Sequence, residues 1–272
     1  MVQTQSGYVQ VDGGKLYYEM AGEGETVVFV HAGFVDSGMW DGQFEEFARN
    51  FQVIRFDMRG FGQSDVAMGP VCRRADLYDV VKGLGVEKAH FIGCSMGGEA
   101  VLDFALEHPE MVQSLVVISA VPSGFEMQGE PPPFLFEMMG AIQDGKLDYA
   151  SELQVRIWVD GMFRDTQQVD AKVRERAGEM NLIAVKNATW MVADLQPLTP
   201  LDPPAIGRLG ELRVSTLILA GALDHPEILR AVDVMVGEIK GAENVIIENT
   251  AHVPTMEKAE ECNRRVLGFL GK

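Results

Sequence analysis

The residues best suited to chemistry stand together at Gly93-Cys94-Ser95-Met96-Gly97-Gly98. An apolar, strand-like run precedes them and a helical pattern follows. A serine at such a strand-to-helix turn is held in a strained backbone conformation, with its hydroxyl above the sheet edge. Gly93 and Gly97, two before and two after, lack the side chains that would block so sharp a turn. The helix N-terminus behind Ser95 also favours negative charge developing nearby. A plain glycine-rich turn seating a helix on a sheet would look similar, and the flanking elements favour the nucleophile. Cys94 is a rival nucleophile. Its own neighbours two before and two after are Ile92 and Met96, so the turn centres on Ser95. Cys94 is expected to be a small buried side chain.

A serine hydroxyl is a weak nucleophile and needs a base within hydrogen-bond reach. His252, in Thr250-Ala251-His252-Val253-Pro254, lies in a loop between a late strand and the final helix. The other histidines have quieter readings. His31 ends a strand and bonds locally, His90 is a core residue, His108 ends a helix, and His225 is a turn residue before Pro226. The base in turn needs an acceptor that fixes its tautomer. Asp224 follows an apolar strand in Gly221-Ala222-Leu223-Asp224, and gives the chain order Ser…Asp…His. The same position also suits a helix N-cap ahead of Pro226. No acid follows the earlier strand ending at Ser119 (Ala120-Val121-Pro122-Ser123), so that alternative is empty. Two backbone N–H groups should hold an oxyanion. Met96, next after the serine, supplies one. The other comes from His31-Ala32-Gly33-Phe34, with Gly33 preferred and Phe34 second.

Short apolar strands must position these groups. Tyr8–Val11 and Leu16–Met20 read as a hairpin around Asp12-Gly13-Gly14. Buried strands are predicted at Thr26–Val30, Val53–Phe56, Ala89–Ile92, Leu115–Ser119, Ser215–Ala220 and Asn244–Ile247. Helices are predicted at Met39–Ala48, Ala75–Leu84, Gly97–His108, Ile228–Ile239 and Met256–Leu270. This alternation predicts an α/β fold: a mostly parallel eight-stranded sheet with helices on both faces. It lapses between 122 and 205, where no strand is evident and prolines mark both ends. The expected organisation is a core of 1–121 and 206–272 with an inserted helical cap at 122–205. Apolar residues there, with Phe34, are the pocket candidates: Phe134, Met138, Trp158, Met162 and Trp190.

Composition narrows the partners. The 272 residues are 47% hydrophobic, enough for one sizeable core. A net charge of −17 repels nucleic acid and anionic membrane surfaces and gives no help in attracting an anionic substrate, so a neutral small-molecule ester or amide is favoured. Three scattered cysteines, Cys72, Cys94 and Cys262, match neither a disulfide framework nor a metal site. With a polar N-terminus unlike a signal peptide, they point to a cytoplasmic protein. No cofactor or metal is expected, and the chain is expected to be a monomer or small homo-oligomer.

Together these residues resemble the α/β-hydrolase superfamily over nearly the whole chain. His31-Ala32-Gly33 is similar to its His-Gly-x oxyanion loop, with alanine in place of glycine. Asp57-Met58-Arg59-Gly60-Phe61-Gly62-Gln63-Ser64 resembles the family's Asp-x-Arg-Gly-x-Gly-x-Ser turn, whose role is structural. The resemblance implies a serine hydrolase of the esterase or lactonase branch, with an N-acyl homoserine lactone or other acyl lactone among its candidate substrates. It leaves three alternatives: a carbon–carbon bond hydrolase, a cofactor-free haloperoxidase or perhydrolase, and a slow-turnover receptor for a lactone signal. Serine at position 95 argues against the branches of the family that form an alkyl ester on an aspartate there.

Overall fold

A computed structural model describes residues 3–271. β1 (Thr4–Val11) and β2 (Gly14–Ala21) form the opening hairpin. β3 (Thr26–Val30) leads to a 3-10 turn at Ser37–Trp40 and then α1 (Asp41–Phe47). β4 (Gln52–Phe56), α2 (Arg73–Gly83), β5 (Ala89–Cys94), α3 (Met96–Glu107) and β6 (Val112–Ile118) follow. Next come α4 (Leu135–Gln143), α5 (Leu147–Val155) and α6 (Ala171–Lys186). The chain closes with β7 (Ser215–Gly221), α7 (Pro226–Glu238), β8 (Glu243–Ile247), α8 (Pro254–Glu257) and α9 (Ala259–Leu270).

The strands form one sheet in the order β1-β2-β4-β3-β5-β6-β7-β8. β2 pairs antiparallel with β1 and β4, and every other pairing is parallel. The parallel strands therefore deliver their carboxyl ends to one edge, where loops can gather a site.

Their unbroken apolar runs follow from burial on both faces. Side chains alternate across a strand, so Val28 and Val30 of β3 join one core cluster while Val27 and Phe29 join the other. Phe91, Leu115 and Val117 face the first cluster, with Val80 and Phe104 from α2 and α3. Ile92, Val116 and Ile118 face the second, with Phe44 and Phe269 from α1 and α9. Each such side chain, fully removed from water, stabilises the fold by about 1.5–3 kcal/mol. A third cluster is separate: Met138, Ala141, Ala150, Leu153, Ile157 and Val185 tie α4, α5 and α6 to one another.

Two helices differ from the sequence reading. The stretch at Met39–Ala48 begins as a 3-10 turn, because the Asp36 carboxylate accepts the Gly38 N–H and tightens the entry. Trp40, fully buried, then stacks on Phe29 at 4.7 Å between ring centroids. The final helix is broken at Lys258, whose φ of −135° separates α8 from α9. Among the described residues no helix is long and apolar enough to cross a membrane.

Candidate active site

Ser95 caps α3 with φ 53° and ψ −118°, a left-handed conformation that costs a non-glycine residue energy. The surroundings hold it there. Its N–H donates to the Ile118 carbonyl at 2.8 Å, which locks the turn to β6. A Cβ on Gly93 would run into the backbone of Gly97, and one on Gly97 into the carbonyls of Val30 and His31. The chain can pass this closely only where side chains are missing.

His252 lies in the loop after β8. Its Nε2 is 2.9 Å from Ser95 Oγ. Its Nδ1 is 3.0 Å from each carboxylate oxygen of Asp224, in the loop after β7. An ionised carboxylate only accepts, so the bond to Asp224 puts the imidazole proton on Nδ1 and leaves Nε2 free to accept the serine proton. The His225 N–H donates to Asp224 Oδ1 at 2.8 Å, a second bond that holds the carboxylate. Only 3% of His252 and 2% of Asp224 are exposed. The Trp158 ring packs on His252 with centroids 4.9 Å apart.

The loops beneath are knitted together. Ala222 and Leu223 donate to the Ile247 and Thr250 carbonyls, joining the Asp224 loop to the His252 loop. Glu257 accepts the Ala251 N–H at 2.8 Å and forms a buried ion pair with Arg164. Groups at the ends of β5, β7 and β8 are thus brought within bonding distance, although they stand 129 and 28 positions apart in the chain (95 to 224, 224 to 252).

Gly33 and Met96 line one cavity with the Ser95 hydroxyl, and Gly33 lies directly against the Met96 side chain. Phe34, Leu135, Met138, Gln154, Trp158 and Trp190 complete the wall. The cavity is open to solvent and is lined mainly by apolar and aromatic side chains, as small-molecule sites are. Phe34, Met138, Trp158 and Trp190 from the sequence analysis are therefore at this cavity. Phe134 and Met162 are not. They line a neighbouring cavity with Arg156 and His225, which adjoins the first at Trp158. Phe134 precedes α4 with φ 67°, and its ring lies against the Arg156 guanidinium at 4.2 Å on the wall of that neighbouring cavity. Leu135 and Gln154 were missed. Nothing in the sequence marks Gln154 among the polar residues of a helix.

Cys94, beside the serine, is fully buried, and burial pushes its thiol well above the ordinary range. A protonated, inaccessible thiol is a poor nucleophile. His31 is buried and neutral. Its Nδ1–H donates to the Ala32 carbonyl at 2.8 Å and its Nε2 accepts the Met58 N–H at 2.9 Å, while desolvation pushes its pKa down to about 4. It braces the Gly33 loop against the turn after β4. In that turn Asp57 accepts backbone N–H groups from Ser37 and Gln63, a structural task. Among the described residues, no group of three or more His, Cys, Asp or Glu is arranged to hold a metal ion.

Comparison with known proteins places this arrangement. A family described as having the alpha/beta hydrolase fold matches residues 25–259. A 2-hydroxy-6-oxo-6-phenylhexa-2,4-dienoate hydrolase of Comamonas testosteroni is 27% identical, over 94% of this chain and 91% of its own. A carboxylesterase of Bacillus subtilis is 25% identical, over 99% of this chain and 88% of its own. The crystal structure of an enol-lactonase from Burkholderia xenovorans superposes with a TM-score of 0.80 at 19% identity, covering 98% of this chain and 100% of that one, a likeness of fold.

Proposed function

The chain belongs to the α/β-hydrolase fold family, and on that premise we propose that it is a serine hydrolase cleaving a carboxylic ester or lactone through an acyl-enzyme on Ser95. The observation that carries this reading is the 2.9 Å contact between Ser95 Oγ and a His252 whose other nitrogen is bound to Asp224. In this reading His252 takes the serine proton as Oγ attacks the carbonyl carbon. The Gly33 and Met96 N–H groups receive the oxyanion, and His252 returns the proton to the leaving alkoxide. Water, activated by the same imidazole, then frees the acid. With a lactone the alkoxide stays attached and a single hydroxy acid leaves. The three unpaired cysteines agree with a cytoplasmic setting.

The Comamonas relative favours a second reading, cleavage of a carbon–carbon bond. A dienoate substrate carries a carboxylate. The side chains described around the Ser95 cavity include no cation to meet one, which weighs toward a neutral ester or lactone.

A panel of p-nitrophenyl esters and lactones, run on wild type and Ser95→Ala, tests the proposal. Wild type is expected to cleave short or medium acyl chains, and the variant to lose about 10⁴-fold or more in kcat. Undiminished activity in Ser95→Ala discards the nucleophile. A 2-hydroxy-6-oxo-6-phenylhexa-2,4-dienoate assayed alongside, if cleaved far faster than any ester or lactone, would move the assignment to carbon–carbon cleavage.

A further inference from the structure

We infer that Gln154 is a specificity-determining residue that donates a hydrogen bond to a second oxygen on the acyl part of the substrate. The inference rests on the hydrolase reading above. It starts from the backbone carbonyl of Phe34, which can only accept. The Asn181 side-chain atom 2.8 Å from that carbonyl must therefore be the nitrogen, Nδ2. The same Nδ2 lies 2.7 Å from one amide atom of Gln154, which must in turn be the acceptor, Oε1. A flipped Gln154 would set two donors face to face. The Gln154 Nε2 group is thereby turned the other way, toward Met138 Sδ at 3.8 Å.

A thioether sulfur is a weak acceptor, and at that distance it leaves the amide hydrogens poorly matched. Gln154 is nine-tenths buried, and Asn181 is buried completely. Gln154 and Met138 both line the cavity that holds the Ser95 hydroxyl. Among the described residues, the Met138 sulfur is the one acceptor that Nε2 meets, and Phe34, Met96 and Leu135 add apolar side chains to the wall. A buried amide donor held only by a thioether is poorly compensated, and a ligand that supplies an oxygen acceptor recovers the difference. A cavity built for a plain hydrocarbon chain would carry a leucine or methionine there. The amide instead fits an acyl group bearing a ketone, hydroxyl or amide oxygen a few atoms beyond the scissile carbonyl.

The test compares ethyl hexanoate with its 3-oxo, 4-oxo and 5-oxo analogues in a pH-stat. For wild type at least one oxo ester is expected to show kcat/KM about tenfold or more above ethyl hexanoate. In Gln154→Leu that ratio should fall to about one, because the donor is gone. Gln154→Met repeats the comparison with an unbranched side chain, should the leucine variant fold poorly. An unchanged ratio in a folded variant overturns the inference. So does a wild type that prefers none of the oxo esters while still cleaving ethyl hexanoate through Ser95. Absence of any Ser95-dependent cleavage overturns the hydrolase reading beneath it.

Discussion

Both carboxylate oxygens of Asp224 stand 3.0 Å from Nδ1 of His252, and the pair is almost sealed from solvent. In the proposed mechanism this contact fixes the tautomer that leaves Nε2 open to Ser95. Asp224→Asn keeps the shape and can present an N–H in place of an acceptor, which favours the wrong tautomer. Its kcat on a p-nitrophenyl ester is expected to fall by about 10³–10⁴-fold with little change in KM. The Tm should stay close to wild type. A variant retaining more than a tenth of the activity would remove Asp224 from the mechanism.

The sequence displays the Ser95–His252–Asp224 relationship because each partner sits at a strand end, where local pattern is strong. The β3 run at Thr26–Val30 is apolar throughout because both of its faces are buried, and it reads as a strand without help. The order β2-β4-β3-β5 is not local, and no short pattern encodes it. The segment from α4 to α6 is harder still. Its side chains divide between a small core of their own and the Ser95 cavity, so an apolar residue there can serve either. Phe134 and Met138 look alike in sequence, yet a positive φ and the Arg156 contact take Phe134 to the neighbouring cavity. Asn181 and Gln154 are invisible for a different reason. Their significance lies in which amide end faces which neighbour, and that depends on the Phe34 carbonyl, far away in the chain.

The cysteines divide by accessibility. Burial pushes the Cys262 thiol up to about 12 and Cys94 well above its ordinary range, whereas Cys72 is half-buried beside Arg74. Iodoacetamide at pH 8 is expected to alkylate Cys72 alone in the native protein, as read by mass spectrometry. Cys94→Ala should keep kcat/KM within about threefold of wild type, since the buried protonated thiol contributes packing and one long, weak hydrogen bond to the His252 carbonyl at 3.8 Å. Rapid alkylation of Cys94 with loss of activity would contradict both expectations.

Arg73 of α2 and Asp194 form a two-pronged ion pair, with contacts of 2.9 and 3.0 Å and both side chains less than a tenth exposed. Arg73 also donates to the Arg59 carbonyl, so it links α2, the turn after β4 and the segment following α6. Asp194→Ala leaves a buried guanidinium without its counter-charge. The expected loss is about 3–5 kcal/mol, or a fall in Tm of roughly 6–20 °C. Joint replacement, Arg73→Met with Asp194→Leu, should restore most of that loss, because it removes the desolvated charges together. Differential scanning calorimetry on the two variants checks the contrast, and a double variant no better than Asp194→Ala refutes it.

Glu99 lies in the first turn of α3, one turn beyond Ser95, and its N–H donates to the Ser95 carbonyl. Burial pushes its carboxyl up to about 7, and the nearby Asp103 and Asp194 charges add to the rise. In the unfolded chain it would titrate near the ordinary value of about 4.3. Between those values the folded protein holds a proton that the unfolded chain has released, so stability falls as pH rises across that window. His31 works in the opposite sense. Its folded pKa of about 4 means that the unfolded chain binds the extra proton between about pH 4 and 6.5, so stability rises with pH there. The two slopes offset each other over most of that range in wild type. Glu99→Gln removes the falling one. The variant should melt near the wild-type temperature at pH 4.5 and several degrees above it at pH 8, each kcal/mol being worth about 2–4 °C for a chain of this size. Melting curves taken every half unit from pH 4 to 8.5 decide the point, and a constant gap between the two proteins across that range would show that Glu99 ionises as freely in the fold as out of it.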